Sequence, residues 1–546
     1  MKKLLLILFL FINSLSFSQT FKWAVDADGG NIAAAFSVAT DASNNVYVTG
    51  YYDGTVDFDP GAGNAYLTDN GGVDVFVLKL NSDGDFQWVK SMGGFGNDRA
   101  YAITIDADGN IYSAGEFYST VDFDPGAEEF LLSASGGSNP DFYIQKLDTD
   151  GNFIWAKRVG NSSAEQIYNL TVDNSGNVIS TGGFRGTVDF DPGASVAHLS
   201  SGINSDLFVL KLSSNGDYLW AINGGGSDFC LGVGVGTDDS ENVYVTGAFE
   251  GVVDVDPSID GVFDIVSFGD SEDAFLLKLN SDGEFVWAKD YGFSGTDFGS
   301  ALTVSDLNNV YVSGVFRHTV DFDPNEGISE ISSEGQTDIF LQKFDTDGNL
   351  IWVRSVGTSL DEDAGYKIAV DSDENSTIIS YVNYGSLKMT VTSFASSGYK
   401  RWFVEIDNIQ YGFCITNDTE GFVYPTGVFT GSHDFNPFGG TTILSTSSSD
   451  YYLLKLGSEP NGIDELNISK SLRVYPNPSN GKFKIELPEN AAMEQIKILN
   501  TAGKIVFENT KNINNTEIDI TLQPGVYFVQ LTLSSGEILT EKIIVT

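Results

Sequence analysis

Short runs of alternating hydrophobic and polar residues recur along most of the chain and predict β-strands. Runs at residues 102–106 and 111–115 flank the turn sequence Ala-Asp-Gly-Asn, and a run at 75–80 leads through Asn-Ser-Asp-Gly-Asp to a strand containing Trp88. Short glycine-containing turns between such runs are typical of antiparallel hairpins. The pattern therefore predicts an all-β protein built from hairpins.

The two hairpins form a repeat that is marked by tryptophan. Successive tryptophans are 65, 67, 65, 67, 65 and 50 residues apart. They are Trp23, Trp88, Trp155, Trp220, Trp287, Trp352 and Trp402. Each unit holds four strands, named a (the 102–106 type), b (111–115), c (75–80) and d (the tryptophan strand). Four antiparallel strands per repeat are the content of one β-propeller blade.

The two ends of the repeat region complement each other. Residues 21–25 form a tryptophan strand with no strand c before it, and residues 451–456 form a strand c with no tryptophan strand after it. We expect these strands to pair, because pairing removes two exposed sheet edges. The sequence thus predicts a seven-bladed β-propeller over residues 19–456, closed by its N-terminal strand, with Trp23 in the same environment as the other tryptophans.

The loops divide between the two faces of this predicted ring. The a–b and c–d turns are short and share one face, while the longer b–c loops and the d–a loops share the other. The sixth unit is shortened in its b–c loop, and it departs from the repeat by losses rather than by added functional groups. Variable loops on a rigid scaffold are the expected place for binding.

A Val-Asp-Phe-Asp-Pro motif recurs in the b–c loops. Its paired acids are Asp57 and Asp59, Asp122 and Asp124, Asp189 and Asp191, Asp254 and Asp256, and Asp321 and Asp323, with one acid kept at Asp434. In an extended segment the two acids point one way and the intervening residue points the other. The d–a loops add acids to the same face at Asp98, Glu165, Asp228, Asp297 and Asp361.

Two interpretations of these acids stay open. Clustered carboxylates together with backbone carbonyls suit Ca²⁺, which takes 6–8 oxygen ligands, so the ten paired aspartates are candidate calcium ligands. Alternatively the acids only shape turns, because an Asp before Pro-Gly accepts hydrogen bonds from its own backbone. Phe58 and its equivalents would then be hydrophobic plugs.

Signals for catalysis are weak. His198, His318 and His433 occur singly in separate repeats, and no Gly-x-Ser-x-Gly, His-Glu-x-x-His or P-loop pattern is present. The Asp-x-Asp-Gly runs lack the Gly and Glu spacing of an EF-hand and are interpreted as hairpin turns. No catalytic residue and no cofactor other than Ca²⁺ is predicted. Carboxylates are so numerous that a glycosidase-like acid pair has no unique position.

Charge narrows the range of partners. The chain has 29 basic and 75 acidic residues, a formal net charge of −46, which argues against binding nucleic acid or anionic membranes. It favours solubility and the attraction of cations. Cys230 and Cys414 lie in separate repeats and predict two buried thiols rather than a disulfide.

The N-terminal residues 1–18 are typical of a signal peptide. Lys2 and Lys3 precede an apolar run at residues 4–12, and Ser16 and Ser18 are small residues suited to cleavage before Gln19. No later segment is apolar for 18 residues, so we expect the mature chain to have no transmembrane segment.

The C-terminal part changes character. Residues 457–471 are polar and predict a linker. Residues 472–546 show alternating runs that predict a small Ig-like β-sandwich.

Two resemblances to known families follow from these motifs. The pattern Asp-x-x-Gly-Asn-Val-Tyr-Val-Thr-Gly resembles the bacterial secreted β-propeller repeat called SBBP; it is best seen at residues 41–50 and 239–247, where Asn44 and Glu241 replace the first glycine. Residues 472–546 resemble the type A, Por-like C-terminal sorting domain of the Bacteroidetes type IX secretion system. This second match lies in Tyr-Pro-Asn-Pro at 475–478, Pro-Gly-Val-Tyr-Phe at 524–528 and Lys-Ile-Ile-Val at 542–545.

The second resemblance implies folding in the periplasm, contact with the type IX secretion machinery, and export to the outer cell surface. It further implies removal of the domain by a sortase-like peptidase and attachment to surface polysaccharide. We therefore expect a secreted or cell-surface protein that binds an extracellular glycan or protein without catalysis. A polysaccharide hydrolase or lyase with a carboxylate pair on the loop-rich face is the alternative, and a structural spacer is a third interpretation.

Overall fold

The computed structural model describes residues 17–546 apart from short gaps, in two compact units, Phe17–Glu459 and the described part of Pro460–Thr546. The gaps are residues 137, 138, 162, 164, 227, 259, 260, 270, 326, 359–362, 384–386, 408, 410, 461–472, 476–481, 487–492, 501–503, 510–516, 521, 524, 534–537 and 546. The predicted signal peptide and linker therefore lie mostly outside the described residues. The described elements are all β-strands, and none of the described residues forms a helix long and apolar enough to cross a bilayer.

The larger unit contains 39 of the described strands. The first twenty are β1 (Phe17–Asp26), β2 (Asp28–Gly29), β3 (Ile32–Thr40), β4 (Val46–Asp53), β5 (Thr55–Asp57), β6 (Tyr66–Thr68), β7 (Asp74–Leu80), β8 (Phe86–Gly94), β9 (Arg99–Ile105), β10 (Ile111–Phe117), β11 (Thr120–Asp122), β12 (Leu131–Ser133), β13 (Asp141–Leu147), β14 (Phe153–Val159), β15 (Gln166–Val172), β16 (Val178–Phe184), β17 (Thr187–Asp189), β18 (His198–Ser200), β19 (Asp206–Leu212) and β20 (Tyr218–Gly226). The others are β21 (Cys230–Thr237), β22 (Val243–Phe249), β23 (Val252–Asp254), β24 (Asp264–Val266), β25 (Asp273–Leu279), β26 (Phe285–Tyr291), β27 (Phe298–Val304), β28 (Val310–Phe316), β29 (Thr319–Asp321), β30 (Glu330–Ser332), β31 (Asp338–Phe344), β32 (Leu350–Val356), β33 (Ala364–Val370), β34 (Ser376–Asn383), β35 (Leu387–Phe394), β36 (Lys400–Asp407), β37 (Tyr411–Asn417), β38 (Val423–Asp434) and β39 (Ile443–Pro460).

These strands form antiparallel four-stranded units in the order a, b, c, d. Within residues 17–459 the units, numbered one to seven, are β3-β4-β7-β8, β9-β10-β13-β14, β15-β16-β19-β20, β21-β22-β25-β26, β27-β28-β31-β32, β33-β34-β35-β36 and β37-β38-β39-β1. Strand d of the seventh unit is the N-terminal strand, since β1 pairs with β39. This is the pairing predicted from the unmatched strands at residues 21–25 and 451–456.

Neighbouring units touch through strand a. β3 contacts β9, and the same contact continues through β15, β21, β27, β33 and β37, which in turn contacts β3. The contacts between first strands thus pass through every described unit and return to their origin. Apolar layers fill the space between units. Phe142 of β13 stacks on Phe208 of β19 with ring centroids 5.2 Å apart, and burying such a side chain stabilises by about 1.5–3 kcal/mol.

In all units but the sixth, the tryptophan of strand d packs on the c–d turn of the next unit. Trp155 Nε1 donates to the Ser214 carbonyl at 3.1 Å, and a Cβ added to Gly216 would lie 3.1 Å from the Trp155 ring. Gly216 also has a φ of 78°. Both the positive φ and the close approach of the Trp155 ring therefore favour glycine in this turn. Trp23 makes the same bond to the Ser82 carbonyl at 3.2 Å, which places it in the environment predicted for it.

Trp402 differs from the other six tryptophans because the next unit, the seventh, has no turn that joins its strands c and d. The seventh unit takes its strand d from the other end of the chain, so no c–d turn follows β39. Trp402 is as buried as Trp155 and Trp352, at 8% exposed, but its Nε1 has no hydrogen-bond partner among the described residues. The other bonds of this kind are made by Trp220, Trp287 and Trp352 to Ser281, Thr346 and Ser396.

The smaller unit contains seven described strands, β40 (Arg473–Tyr475), β41 (Lys482–Glu486), β42 (Met493–Asn500), β43 (Ile505–Asn509), β44 (Glu517–Asp519), β45 (Gly525–Leu533) and β46 (Ile538–Val545). They form one antiparallel sheet in the order β43-β42-β45-β46 and another in the order β40-β41-β44. Buried residues from both sheets share one core, including Phe483, Ile498 and Leu531. Of the three sorting-domain motifs, residues 476–478 and 524 lie outside the described residues.

Candidate functional site

Strand a of every unit contains a β-bulge at the same place. In β9, Ala102 pairs with Ala114 and Ala100 pairs with Gly115, so Tyr101 is the extra residue. A bulge redirects the side chain of its extra residue. The extra residues of the other strands are Phe36, Tyr168, Val233, Ser300, Tyr366 and Phe413.

The bulge explains the glycine that ends the strand-b motif. A Cβ built on Gly115 would lie 1.8 Å from the carbonyl oxygen of Arg99, closer than any side chain can approach. The same holds at Gly50, Gly182, Gly247, Gly314 and Gly427. In the sixth unit Ser380 takes this place, opposite Gly365. The bulge therefore explains the motif's final glycine in six units, whereas the sixth unit has the same bulge opposite a serine.

The bulged strands enclose a central cavity of about 550 Å³. Its lining includes strand-a residues of all seven units, among them six of the seven bulge residues. A volume of roughly 300–1,000 Å³ is typical of small-molecule sites. The lining is mostly apolar, with Gln166, Ser300 and Lys367 as polar additions beside two tyrosines.

Aromatic rings occupy one side of this central cavity. Phe36 stacks on Phe413 with centroids 4.5 Å apart and ring planes at 11°. Tyr101 meets Phe36 edge-on at 5.8 Å, and Tyr168 follows in the next unit. The seventh, first, second and third units thus supply an aromatic arc, defined as Phe413, Phe36, Tyr101 and Tyr168. The fourth and fifth units supply the smaller Val233 and Ser300.

Polar contacts fix two of the rings. Tyr168 donates a hydrogen bond to Gln166 at 2.6 Å. Tyr101 hydrogen-bonds Glu116, which also forms a 2.7 Å ion pair with Arg99. Burial is the largest cause of the raised pKa of the Tyr101 hydroxyl, followed by the charge of Glu116. The hydroxyl therefore stays protonated as a donor at neutral pH.

Lys367 is the cation of the described cavity lining, and the sequence prediction missed it. It follows the bulge residue of β33. The residues at the same register position in the other units are Ser37, Ala102, Asn169, Gly234, Ala301 and Cys414. The prediction that the sixth unit departs only by losses is therefore wrong, because this unit adds an ionisable group. An alignment of the a strands on the first residue of the a–b turn would have shown Lys367 at a position where the other units have small or neutral residues.

The paired acids of the Val-Asp-Phe-Asp-Pro motif do not line the central cavity but lie in short hairpins. These hairpins are β5-β6, β11-β12, β17-β18, β23-β24 and β29-β30, and the seventh unit has its equivalent at the ends of β38 and β39. The hairpins also join neighbouring units, since β11 pairs with the end of β8 and β23 with the end of β20.

Both acids of each pair accept backbone hydrogen bonds within the hairpin. Asp57 Oδ1 accepts from the N–H groups of Asp59 and Ala65 at 3.1 and 2.7 Å, and Asp59 Oδ1 accepts from Gly61 at 2.8 Å. The bonds recur for Asp122 and Asp124, Asp189 and Asp191, Asp254 and Asp256, and Asp321 and Asp323. In the seventh unit Asn436 makes the second acid's bond without a charge. Turn shaping is thus a role that these acids perform.

The residue between the acids is a buried plug, as the turn interpretation predicts. Phe58 is fully buried and lies 4.7 Å from the Phe76 ring. Within the described ranges, no group of three or more His, Cys, Asp and Glu side chains comes together as a metal site. The Asp-x-Asp-Gly runs also form turns, as predicted, since the Asp148 carbonyl accepts from the Gly151 N–H at 3.0 Å.

A second set of acids is buried at the start of strand c. It consists of Asp74, Asp141, Asp206, Asp273, Asp338 and Asp450. Asp74 Oδ2 accepts from the backbone and side chain of Asn70, while its Oδ1 has no partner. Burial, together with the charge of Asp98, raises the pKa of Asp74 to about 7. Sequence patterns missed these acids because they stand at strand boundaries.

The acids predicted in the d–a loops lie beside this buried set. Asp98 accepts from Tyr118 and Gly94, and burial raises its pKa to about 6. Burial raises the pKa of Glu165 to about 7 and that of Asp297 to about 6. A Cβ added to Gly251 would lie 2.3 Å from a carboxylate oxygen of Asp228, and Asp361 lies outside the described residues. Asp98, Glu165 and Asp297 accept backbone N–H groups of their loops, and none of the described acids of this set lines the central cavity.

The opposite face carries a repeated network of acid, tyrosine and lysine. In the seventh unit Tyr424 donates to Asp418 at 2.7 Å, and Lys455 pairs with Asp418 at 3.4 Å. The fifth unit has Ser305 at the acid's position. There Glu374 of the sixth unit reaches back to accept from Tyr311 and to pair with Lys343. One unit therefore supplies the group that its neighbour lacks.

Both cysteines are free and buried, as predicted. The three histidines lie in the third, fifth and seventh units.

Comparison with known proteins identifies the C-terminal segment. Residues 473–546 match the family model described as a secretion system C-terminal sorting domain. A curated relative, an uncharacterized WD repeat-containing protein of Acanthamoeba polyphaga mimivirus, is 23% identical over 273 residues. That match covers 44% of this chain and 20% of the relative, so the chain spans only about a fifth of that protein's length.

Solved structures give weaker likenesses. The quinohemoprotein alcohol dehydrogenase of Comamonas testosteroni has a TM-score of 0.37 at 10% identity, with 86% of this chain and 80% of that chain covered. A protein of unknown function from Dyadobacter fermentans has a TM-score of 0.36 at 11% identity, with 80% and 99% covered. Scores this low carry no argument about function. The C-terminal sorting domain is informative, because a domain of this kind indicates export to the cell surface or secretion.

Proposed function

We propose that this protein is a non-enzymatic binding or adhesion protein of the outer cell surface, exported by the type IX system. Its export rests on the sorting-domain match at residues 473–546. Binding is supported by the central cavity of about 550 Å³, where the bulges direct aromatic side chains inward. The ligand class of the protein as a whole is an extracellular glycan or protein.

We further propose that residues 19–456 form a seven-bladed β-propeller of the SBBP type, from a Bacteroidetes source, and that residues 472–546 form an Ig-like sandwich. The cycle of strand-a contacts and the β1–β39 pairing support the closed propeller. Removal of residues 19–26 should then expose the edge of β39 that pairs with β1 and lower the melting temperature more than removal of any equally long loop segment. An unchanged melting temperature would contradict closure.

A hydrolase or lyase is the less supported alternative. An acid pair for glycoside cleavage must face its substrate. Asp74, Asp98 and Glu165 have raised pKa values, but they are buried and accept backbone N–H groups. Hydrolysis assays on every glycan that the protein binds in an array separate the two functions. Turnover of a bound glycan would favour the enzyme.

Export is tested separately from binding. Deletion of residues 472–546 should retain the protein in the periplasm while leaving the melting of the repeat region unchanged, because domains joined by a polar linker unfold separately. The matched control deletes an equal length of chain from the b–c loops and keeps the C-terminal domain. Surface display of the shortened protein without the sorting domain would refute the sorting role.

A further inference from the structure

Lys367 is the one departure from the repeat that brings a charge into the central cavity. Six units have a small or neutral residue after the bulge, and the sixth has this lysine. None of the other described lining residues is acidic or basic. The charge is therefore a property of this site and not of the repeat.

The surroundings of the lysine leave its ammonium group poorly compensated. Among the described residues Lys367 has neither a hydrogen bond nor an ion pair. Burial lowers the pKa of its amine, and the neighbouring Cys414 opposes this shift. A cation among apolar groups costs free energy unless an anion meets it. A bound anionic group would supply the missing partner.

The opposite wall defines the rest of the ligand. Phe413 and Phe36 stack with nearly parallel planes, and Tyr101 stands edge-on to Phe36. Such rings form a flat apolar surface on which another ring can pack. Val233 and Ser300 are small and leave room beside them.

We propose that the central cavity binds a small ring-shaped carboxylate, with Lys367 pairing with the carboxylate and the aromatic arc packing on the ring. This inference rests on the proposed binding function and names its ligand class. The chain's net charge of −46 opposes anions in general. Selectivity therefore has to come from this local cation. An aromatic acid and a uronic acid share the required chemistry.

Calorimetric titration of the full mature chain tests the proposal. Benzoate and glucuronate are the two acid probes, with benzamide and glucose as their neutral counterparts. At least one acid should bind, and its neutral counterpart should bind at least 10-fold more weakly. The acid that binds identifies the source. Absence of binding by both acids, or equal binding of acid and neutral counterpart, overturns the proposal.

Substitutions locate the site. Lys367→Met should weaken binding of the acid at least 10-fold, Lys367→Arg should keep part of it, and Phe413→Ala should weaken it further through the ring. Lys388→Met, in the same unit but outside the cavity lining, is the matched control and should leave binding unchanged. Thermal melting of each variant checks folding. Binding unchanged by Lys367→Met in a folded protein would overturn the assignment.

The outcome is separable from the proposed function. A glycan array probed with the Lys367→Met variant reports binding by the protein as a whole. Retained array binding without acid binding in the cavity refutes this inference alone. If the unaltered protein binds nothing on the array, the proposed function is refuted as well.

Discussion

The second and sixth units have the same four strands but begin strand c with opposite charges. The second unit has Asp141, which is fully buried and lies against Gly160 just beyond strand d. The sixth unit has Lys388 at the same register position, opposite Asp407. Lys388 forms ion pairs with Asp407 at 3.0 Å and with Glu405 at 3.1 Å. The exchange replaces a buried acid by a partly exposed ion pair.

The length of the b–c loop explains this difference. In the second unit the loop covers Asp141 and supplies the backbone N–H of Ser135 at 2.9 Å. A Cβ at Gly160 would lie 2.5 Å from the Asp141 carboxyl carbon, so the acid fills the space of a side chain there. The sixth unit lacks the long loop and therefore the donor. A buried carboxylate without donors is costly, whereas a surface pair tolerates water.

The largest effect should come from the tryptophans of these two units. Trp155→Ala and Trp402→Ala each remove a buried aromatic side chain and should cost roughly 3–5 kcal/mol. Phenylalanine sharpens the comparison. Trp155→Phe also removes the bond to Ser214, which is worth about 1 kcal/mol, whereas Trp402 has no such bond to lose. Denaturant unfolding should show the larger loss of unfolding free energy for Trp155→Phe. Equal losses would contradict the absence of a hydrogen bond at Trp402.

These tryptophans also show what the sequence could predict. Their spacing and the two unmatched strands were enough for the repeat and for the β1–β39 pairing. The orphaned Nε1 of Trp402 follows from that pairing but appears only once neighbouring turns are placed in space. The hydrophobicity pattern could not predict that Lys367 faces the cavity. A β-bulge interrupts the alternation of side chains between the two faces of a strand, so the pattern does not show to which face the residue after the bulge points. Glu374, which serves the fifth unit from the sixth, is a contact between units that no single repeat predicts.

The next effect is a pH dependence that the sixth unit does not share. Burial raises the pKa of Asp74 to about 7 from 3.8, so the folded state holds an extra proton between these values. Stability from this group therefore falls as pH rises from about 4 to about 7. Asp273 behaves alike, with its pKa raised to about 7 by burial. Each unit of pKa separation corresponds to about 1.4 kcal/mol.

Other acids set the lower limit of this window. The pKa of Asp106 is lowered through hydrogen bonds from Asn110 that offset its burial, so its contribution is lost as pH falls below about 4. Melting temperature should thus peak in mildly acidic solution. Asp74→Asn should raise it at pH 8 and leave it unchanged at pH 5. The hydrogen bonds that the Lys388 ammonium donates to Asp407 and Glu405 raise the pKa of Lys388, so the sixth unit's pair keeps its stability across this range. A gain for Asp74→Asn at both pH values would contradict the titration.

A smaller effect separates the ion pairs of the two units. Arg158 lies 2.6 Å from the buried Asp141, so Arg158→Met leaves a buried carboxylate without its cationic partner. Lys388→Met breaks pairs that water already screens, and exposed pairs are worth about 0.2–1 kcal/mol. Thermal melts should show the larger loss for Arg158→Met. High salt should diminish the loss for Lys388→Met far more than the loss for Arg158→Met, and the reverse order would break the comparison.

The smallest effect concerns calcium, which we retain as a proposal for the units that carry the paired acids. The Oδ1 atoms of Asp57 and Asp59 already hold the turn, so a cation would use the remaining carboxylate oxygens. Weak extracellular sites have Kd values of roughly 10⁻⁴–10⁻³ M, and at a concentration equal to Kd each site adds about 0.4 kcal/mol. Ca²⁺ should therefore raise the melting temperature slightly more than Mg²⁺ at equal ionic strength.

Asp59→Asn copies Asn436 of the seventh unit, which keeps the turn bond, so it should remove the Ca²⁺-specific increment at that site without loosening the hairpin. Equal shifts with both ions would reduce the effect to charge screening. A stoichiometry of seven would contradict the assignment too, because the sixth unit has no such hairpin.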